Sequence, residues 1–251
     1  MTARSASSSR KVAVITGAAQ RLGEAIARAL HDAGYNIVVH FRQSAGSAAR
    51  LMDDLNTQRA ESVWVIHQDL RLTGELAAMV ATAAGRWGRL DVLVNNAALF
   101  FPTPSCAVTD EQWDTLMDTN LKAQFFLAQA AYPFLRDHGG CIVNLTDIYG
   151  ERGLADHSVY CISKAGLTAM TGFLAREFAP QVRVNAVAPG AILWQEREGD
   201  SERRQRILEQ TPLARRGEVQ DVAAAVLYLV EQAPFVTGQV LAVDGGRSLV
   251  C

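Results

Sequence analysis

Tyr160 and Lys164 stand four residues apart in a segment whose apolar positions Val159, Ile162, Leu167, Met170, Phe173 and Leu174 recur with helical period. Residues at i and i+4 share a helix face, so the phenol and the ammonium are expected to be neighbours. A phenol with an unperturbed pKa near ~10 is a weak acid at neutral pH, and a nearby cation favours its ionised form. The pair is therefore a candidate general acid. A lone Y-x-x-x-K also describes any surface ion-and-phenol pair, so its surroundings carry the argument. Thirteen residues before the Tyr stands Asp147, delivered with Thr146 by an apolar run over 141–145. A carboxyl in a partly buried site cycles between donor and acceptor, whereas a hydroxyl there chiefly orients a carbonyl.

The chain start offers a seat for an electron carrier. A β-branched run over 12–16 feeds T-G-A-A-Q-R-L-G and then a helical pattern over 24–33 that stops at Gly34. Gly17 suits the tight turn and Gly23 allows close helix-to-strand packing. The helix start, with Leu22 in its turn, presents free N–H groups to a pyrophosphate. Arg21 stands where a middle glycine often sits, which puts a guanidinium near phosphates or substrate; the plainer reading is a solvated Arg. The next strand, 36–41, ends in H-F-R-Q-S and lacks the acid that would hold an adenosine 2′-hydroxyl. Arg42 takes that place, with His40, Phe41 and Ser44 around it, and a guanidinium there suits a 2′-phosphate. The expected cofactor is NADPH/NADP rather than NAD.

Other elements must bring further groups to the same edge. Asp69, after a strand over 62–67, and the Leu70 backbone border the adenine, unless Asp69 caps the helix that follows. L-D-V-L-V-N-N-A-A is a buried strand ending in Asn95, Asn96, Ala97 and Ala98. Its small residues admit a flat ligand, and its amides are placed to tie the strand end to neighbouring loops. Phe100 and Phe101 occupy a loop held by Pro102 and Pro104, and one of them is a candidate stacking surface for a planar heterocycle. Asn120 begins a helix whose apolar stripe is Leu121, Phe125, Ala128, Tyr132 and Leu135. A strand over 182–187 runs to Pro189-Gly190. The charge-rich stretch 195–210 reads as a helical flap over the substrate or as a solvated helix. A helix over 221–230 and a strand over 239–243 lead into D-G-G.

The 251 residues, 49% hydrophobic and 20% charged, suit one α/β domain over 11–251, with 1–10 a disordered tail and 191–212 the flap. A formal charge of -2 gives no general attraction to nucleic acid, and no apolar run of about 18 residues is present for a membrane span. The four cysteines are widely spaced and suggest a reducing, cytoplasmic setting. No His/Cys grouping has metal-ligand spacing, so no metal is expected.

Together, T-G-A-A-Q-R-L-G, Asp69, N-N-A, Asn120, the Tyr160/Lys164 pair, Pro189-Gly190 and V-D-G-G resemble the short-chain dehydrogenase/reductase family over nearly the whole chain. The resemblance implies a single-domain, Rossmann-type doubly wound fold with a seven-stranded parallel sheet. It also implies a homotetramer and an Asn-Ser-Tyr-Lys catalytic set in which Asp147 replaces the Ser. Asp147, Arg21, H-F-R-Q-S and F-F-P-T-P are similar to the pteridine reductases. On that resemblance Tyr160 donates a proton, Lys164 holds the nicotinamide ribose and lowers the Tyr pKa, and Asp147 relays protons to a pterin nitrogen. Phe100 stacks the pterin, Arg21 touches pyrophosphate and substrate, and Asn120 shapes the helix and a water chain near Lys164. Asn96, Ala97, Ala98, Pro189 and Gly190 border the cofactor, and Leu193 and Trp194 the substrate. Two positions depart: Ala98 stands where pteridine reductases often have Ser, and Trp194 where the wider family has Thr. The G-E-R-G loop and A-I-L-W-Q-E are similar to bacterial dihydromonapterin reductases. The expected activity is NADPH-dependent reduction of a dihydropteridine to its tetrahydro form. The alternatives are a dihydromonapterin or dihydrofolate-type reductase, a general carbonyl or 3-ketoacyl reductase, and a non-catalytic NADP-binding regulator.

Overall fold

Short runs of Val, Ile, Leu and Ala without polar interruption form strands buried on both faces, and such strands need helices on either side. The computed structural model describes residues 10–192 and 201–250. Seven strands, β1 (Val12–Ile15), β2 (Asn36–Phe41), β3 (Val63–His67), β4 (Val92–Asn95), β5 (Cys141–Leu145), β6 (Arg183–Pro189) and β7 (Val240–Val243), form one sheet. Every pairing is parallel and the order is β3-β2-β1-β4-β5-β6-β7. This is the expected single-domain, doubly wound Rossmann-like fold. Strand order reverses between β1 and β4, and in such sheets ligands bind beyond the strand C-termini at that point.

One helical layer holds α1 (Arg21–Asp32), α2 (Ala45–Gln58) and α9 (Val219–Glu231), whose apolar residues pack with Ile15, Val39 and Val94. The other holds α3 (Leu76–Gly85), α5 (Ala123–Arg136) and α7 (Ser158–Phe178), packed with Val14, Leu93 and Ile142. Helix α4 (Asp110–Met117) joins α5 through a π-helical turn, Asp118–Lys122. A short α6 (Tyr149–Arg152) precedes α7. In the 195–210 stretch a helix, α8, occupies Ser201–Glu209; residues 195–200, the tail 1–9, Leu193 and Trp194 lie outside the described residues.

The register Asn95↔Asn144 lets the Asn95 amide donate to Asn144 Oδ1 (2.9 Å), and Asn144 in turn donates to Thr171 Oγ1 on α7 (2.9 Å). A buried polar chain thus joins two strands to the helix that carries Tyr160. No helix among the described residues is long and apolar enough to cross a membrane.

Candidate active site

Helix α7 presents Tyr160 and Lys164 on one face, both buried. The expected interaction between them is not the one that forms. Lys164 Nζ donates to the Leu145 carbonyl at the end of β5 (2.7 Å) and lies 5.8 Å from the Tyr160 ring centre. The Tyr160 hydroxyl donates instead to Asp147 Oδ2 (2.7 Å). Burial and the facing carboxylate therefore push the Tyr160 pKa well above 10, opposite to the lowering expected from Lys164. Burial also raises Asp147 above the ordinary carboxyl value, against the Tyr149 N–H bond to its Oδ1 (2.9 Å), the Tyr160 bond and the Lys164 charge. Desolvation lowers Lys164 to about 8, with Asp147 opposing the shift. Asp147, Tyr160 and Lys164 thus come together at the C-terminal edge of β5, an arrangement able to exchange a proton.

Asn120 has the reason its polarity demands. Within the π turn its side chain accepts from Leu99 N (2.8 Å) and donates to Leu99 O (2.9 Å) and Ser163 Oγ (3.2 Å). It fastens the loop after β4 to α7 and makes no bond to Lys164 among these contacts. Phe100 lies on that loop with its ring perpendicular to that of Tyr160 (centres 4.7 Å apart, 86° between planes). Its face lies on His157 (4.5 Å, 14°), a residue that sequence pattern did not single out.

The nucleotide turn is built as a cradle. Gly17 has φ +62°, and a Cβ on Gly23 would run into the Gly17 carbonyl oxygen and the Asn96 amide. Asn96 holds the turn by donating to Thr16 O (2.8 Å) and Gly17 O (3.1 Å), while Thr16 Oγ1 accepts from Asn96 N and Ala97 N. Gln20, the N-cap of α1, makes no side-chain cap, which leaves helix-start N–H groups for an anion. A cavity of about 560 Å³ opens over the turn. Gly17, Arg21, Leu22, Phe41, Arg42 and Ser44 line it, as do His40, Asp69, Leu70, Asn96, Ala97 and Ala98. These residues fit a dinucleotide: an anion seat at a helix start, a cationic end at Arg42 and small residues along β4.

Two of the lining residues are held by partners within the protein. His40 is buried, its Nδ1 accepts from Gly17 N (3.1 Å) and its Nε2 donates to Gln68 O (3.0 Å). Desolvation lowers it to about 4, so it is a neutral brace of the turn and not a cationic partner for a phosphate. Asp69 pairs with Arg71 (2.6 Å), accepts from Arg71 N and does not cap a helix. Pro189 and Gly190 end β6, where Gly190 N donates to Val243 O and packs so tightly on Asp244 that a Cβ would clash.

A family model described as Enoyl-(Acyl carrier protein) reductase matches residues 17–248. The 3-oxoacyl-[acyl-carrier-protein] reductase FabG of Staphylococcus aureus is 35% identical over 240 residues, covering 94% of this chain and 97% of that protein. A protein of Streptomyces violaceoruber described as ketoacyl reductase 2 of the granaticin polyketide synthase is 37% identical, with 95% and 96% covered. A crystal structure described as a short-chain alcohol dehydrogenase from Sinorhizobium meliloti 1021 superposes with a TM-score of 0.90 at 34% identity, covering 96% of this chain and 97% of its own. The chain belongs to the short-chain dehydrogenase/reductase family. As a member it is an NAD(P)-dependent oxidoreductase. Within the family, the names of these relatives match the ketoacyl-reductase alternative rather than the pteridine reading. Ser163 and His157, which sequence pattern did not single out, brace this region through partners distant in sequence, Asn120 and Phe100.

Proposed function

We propose that this oxidoreductase uses NADPH to reduce a carbon–nitrogen double bond of a dihydropteridine, giving the tetrahydro form, and works as a cytoplasmic homotetramer. The observation that carries the reading is the 2.7 Å hydrogen bond from the Tyr160 hydroxyl to Asp147. NADPH, when bound, supplies the hydride. The residues of the chain manage proton and charge. Reducing C=N puts hydride on carbon and a proton on nitrogen, and a ring nitrogen that gains its proton early is cationic, which a carboxylate beside the proton donor stabilises. Reducing C=O instead builds negative charge on oxygen, which the same carboxylate repels. The raised Asp147 pKa suits a group that collects a proton and hands it on through Tyr160. Phe100 offers a planar ring the stacking surface it needs, and Arg42 and Ser44 at the far end of the cavity favour a 2′-phosphate.

The second reading is reduction of 3-oxoacyl thioesters, favoured by the names of the FabG and polyketide relatives. It would require Asp147 to be protonated and to donate to the keto oxygen. Purified protein assayed with NADPH against dihydrobiopterin, dihydromonapterin and acetoacetyl-CoA separates the two. Pteridine reduction is expected to dominate kcat/KM, and Tyr160→Phe is expected to remove about 10²-fold or more of the turnover while NADPH binding stays intact. Turnover of the thioester alone would establish the second reading. NADPH binding without turnover of any substrate would make the protein a regulator instead.

A further inference from the structure

We infer that His157, together with Thr103, fixes the Phe100 ring beside Tyr160, and that this clamp sets the affinity of the site for a planar heterocycle. The inference rests on the pteridine reading above. His157 occupies the N-cap of α7 yet its side chain makes no capping bond, although capping is what that position ordinarily selects for. The cap comes from another element: Thr103 Oγ1 accepts from Val159 N (3.2 Å). The His157 ring is thereby released for a different task. Its Nδ1 donates to Ala155 O (2.8 Å), which locks the ring plane, and its face covers one face of Phe100.

The loop is welded to the helix start at further points. Thr103 N donates to Asp156 O, and Ser158 Oγ donates to Thr103 O (2.8 Å). Asp156 adopts φ +61°, a conformation that costs a non-glycine residue energy and is kept where the surroundings impose it. That backbone twist places the Asp156 carbonyl on Thr103 and the next side chain on Phe100. Phe100 is 41% exposed and sits on a loop, but its freedom is reduced by His157 stacked on it and by Tyr160 packed perpendicular to it. The part of the ring that stays exposed is what a ligand ring meets. A flat substrate stacked there meets a surface held at a constant place relative to the Tyr160 hydroxyl, so little ordering is left to be done on binding. His157 acts through Phe100 and is a positioning residue.

The experiment is a double-mutant cycle on the full-length enzyme with NADPH and dihydrobiopterin. His157→Ala is expected to raise KM about 3- to 10-fold, the value of one aromatic stacking contact, with kcat within about 2-fold of wild type. His157→Phe, which keeps a flat ring, should restore KM. In a Phe100→Ala background the His157→Ala change should add nothing, because the residue it acts through is gone. Should His157→Ala fail to fold by circular dichroism, His157→Leu, apolar but not planar, takes its place in the cycle. An unchanged KM in the single variant, or effects that add fully in the double variant, would overturn the clamp while leaving the pteridine reading standing. A wild-type enzyme inactive on pteridines would overturn both.

Discussion

Arg21 shows how one side chain can be retained against its backbone. It opens α1 with φ +55°, in the left-handed region where glycine is at ease and other residues are strained by about 1 kcal/mol or more. The family's usual glycine at this point is explained by that φ. Arg21 lines the cavity above the helix start, and the expectation is that its guanidinium meets a cofactor phosphate there. Arg21→Gly would relieve the strain but enlarge the conformational freedom of the unfolded chain, two effects of similar size and opposite sign. The melting temperature is therefore expected to move by no more than a few degrees, whereas the Kd for NADPH rises about 10-fold through loss of a charge-assisted phosphate contact. Titration of NADPH fluorescence against both proteins measures this, and equal Kd values would remove Arg21 from the cofactor site.

At the scale of elements, the phosphate turn depends on the end of the neighbouring strand. The two bonds of His40 require an Nδ1 acceptor for Gly17 and an Nε2–H donor for Gln68, so only the neutral ring serves both. Facing it, His67 opposes protonation and Asp69 favours it, and burial outweighs both. With a folded value of about 4 against 6.5 unfolded, the unfolded chain binds the extra proton between those limits. The stability contributed by neutral His40 is thus complete above pH 6.5 and lost as the pH falls towards 4, by about 3 kcal/mol at most. His40→Gln, whose amide offers one acceptor and one donor, should flatten part of the fall in melting temperature over that window; an identical pH slope would show that His40 does not brace the turn. Strands and helices were legible because their periods are written locally. The π turn at Asp118–Lys122 was not, since apolar spacing looks the same on either side of one extra residue. Tyr160, Lys164 and Asp147 were legible as a set, but the direction of the Tyr160 shift was not, because it is set by burial and by the Asp147 carboxylate that accepts the Tyr160 hydroxyl. His40 and His157 were opaque for the same reason: their partners, Gly17 and Phe100, lie 23 residues and a separate loop away.

Among the described residues, two separate apolar regions of the surface are left in water by a lone protomer. On one sheet face, Phe125 and Phe126 of α5 are 41% and 37% exposed, and Ile162 and Phe173 of α7 are 45% and 69% exposed. At the sheet edge, β7 has no strand on its outer side among the described residues and shows Val240 and Leu241, beside a cavity of about 590 Å³ reaching to Leu213. Large exposed apolar patches and an open strand edge are both features that association removes. Two distinct self-complementary patches on one protomer generate two two-fold axes, and two such axes close a tetramer with D2 symmetry. The expectation is a tetramer by size-exclusion chromatography with light scattering. Phe125→Glu/Phe173→Glu should stop assembly at a dimer joined through β7, and Leu241→Glu at a dimer joined through the helices. Carrying all three changes should give a monomer. If either set alone produced monomers, one interface would be secondary to the other; if neither changed the mass, both patches would serve something other than self-assembly. Because α7 also carries Tyr160 and Lys164, a helix-face dimer would bury the outer side of the catalytic helix. The Phe125→Glu/Phe173→Glu variant is therefore expected to lose turnover more than the Leu241→Glu variant, and equal losses would disconnect assembly from the site.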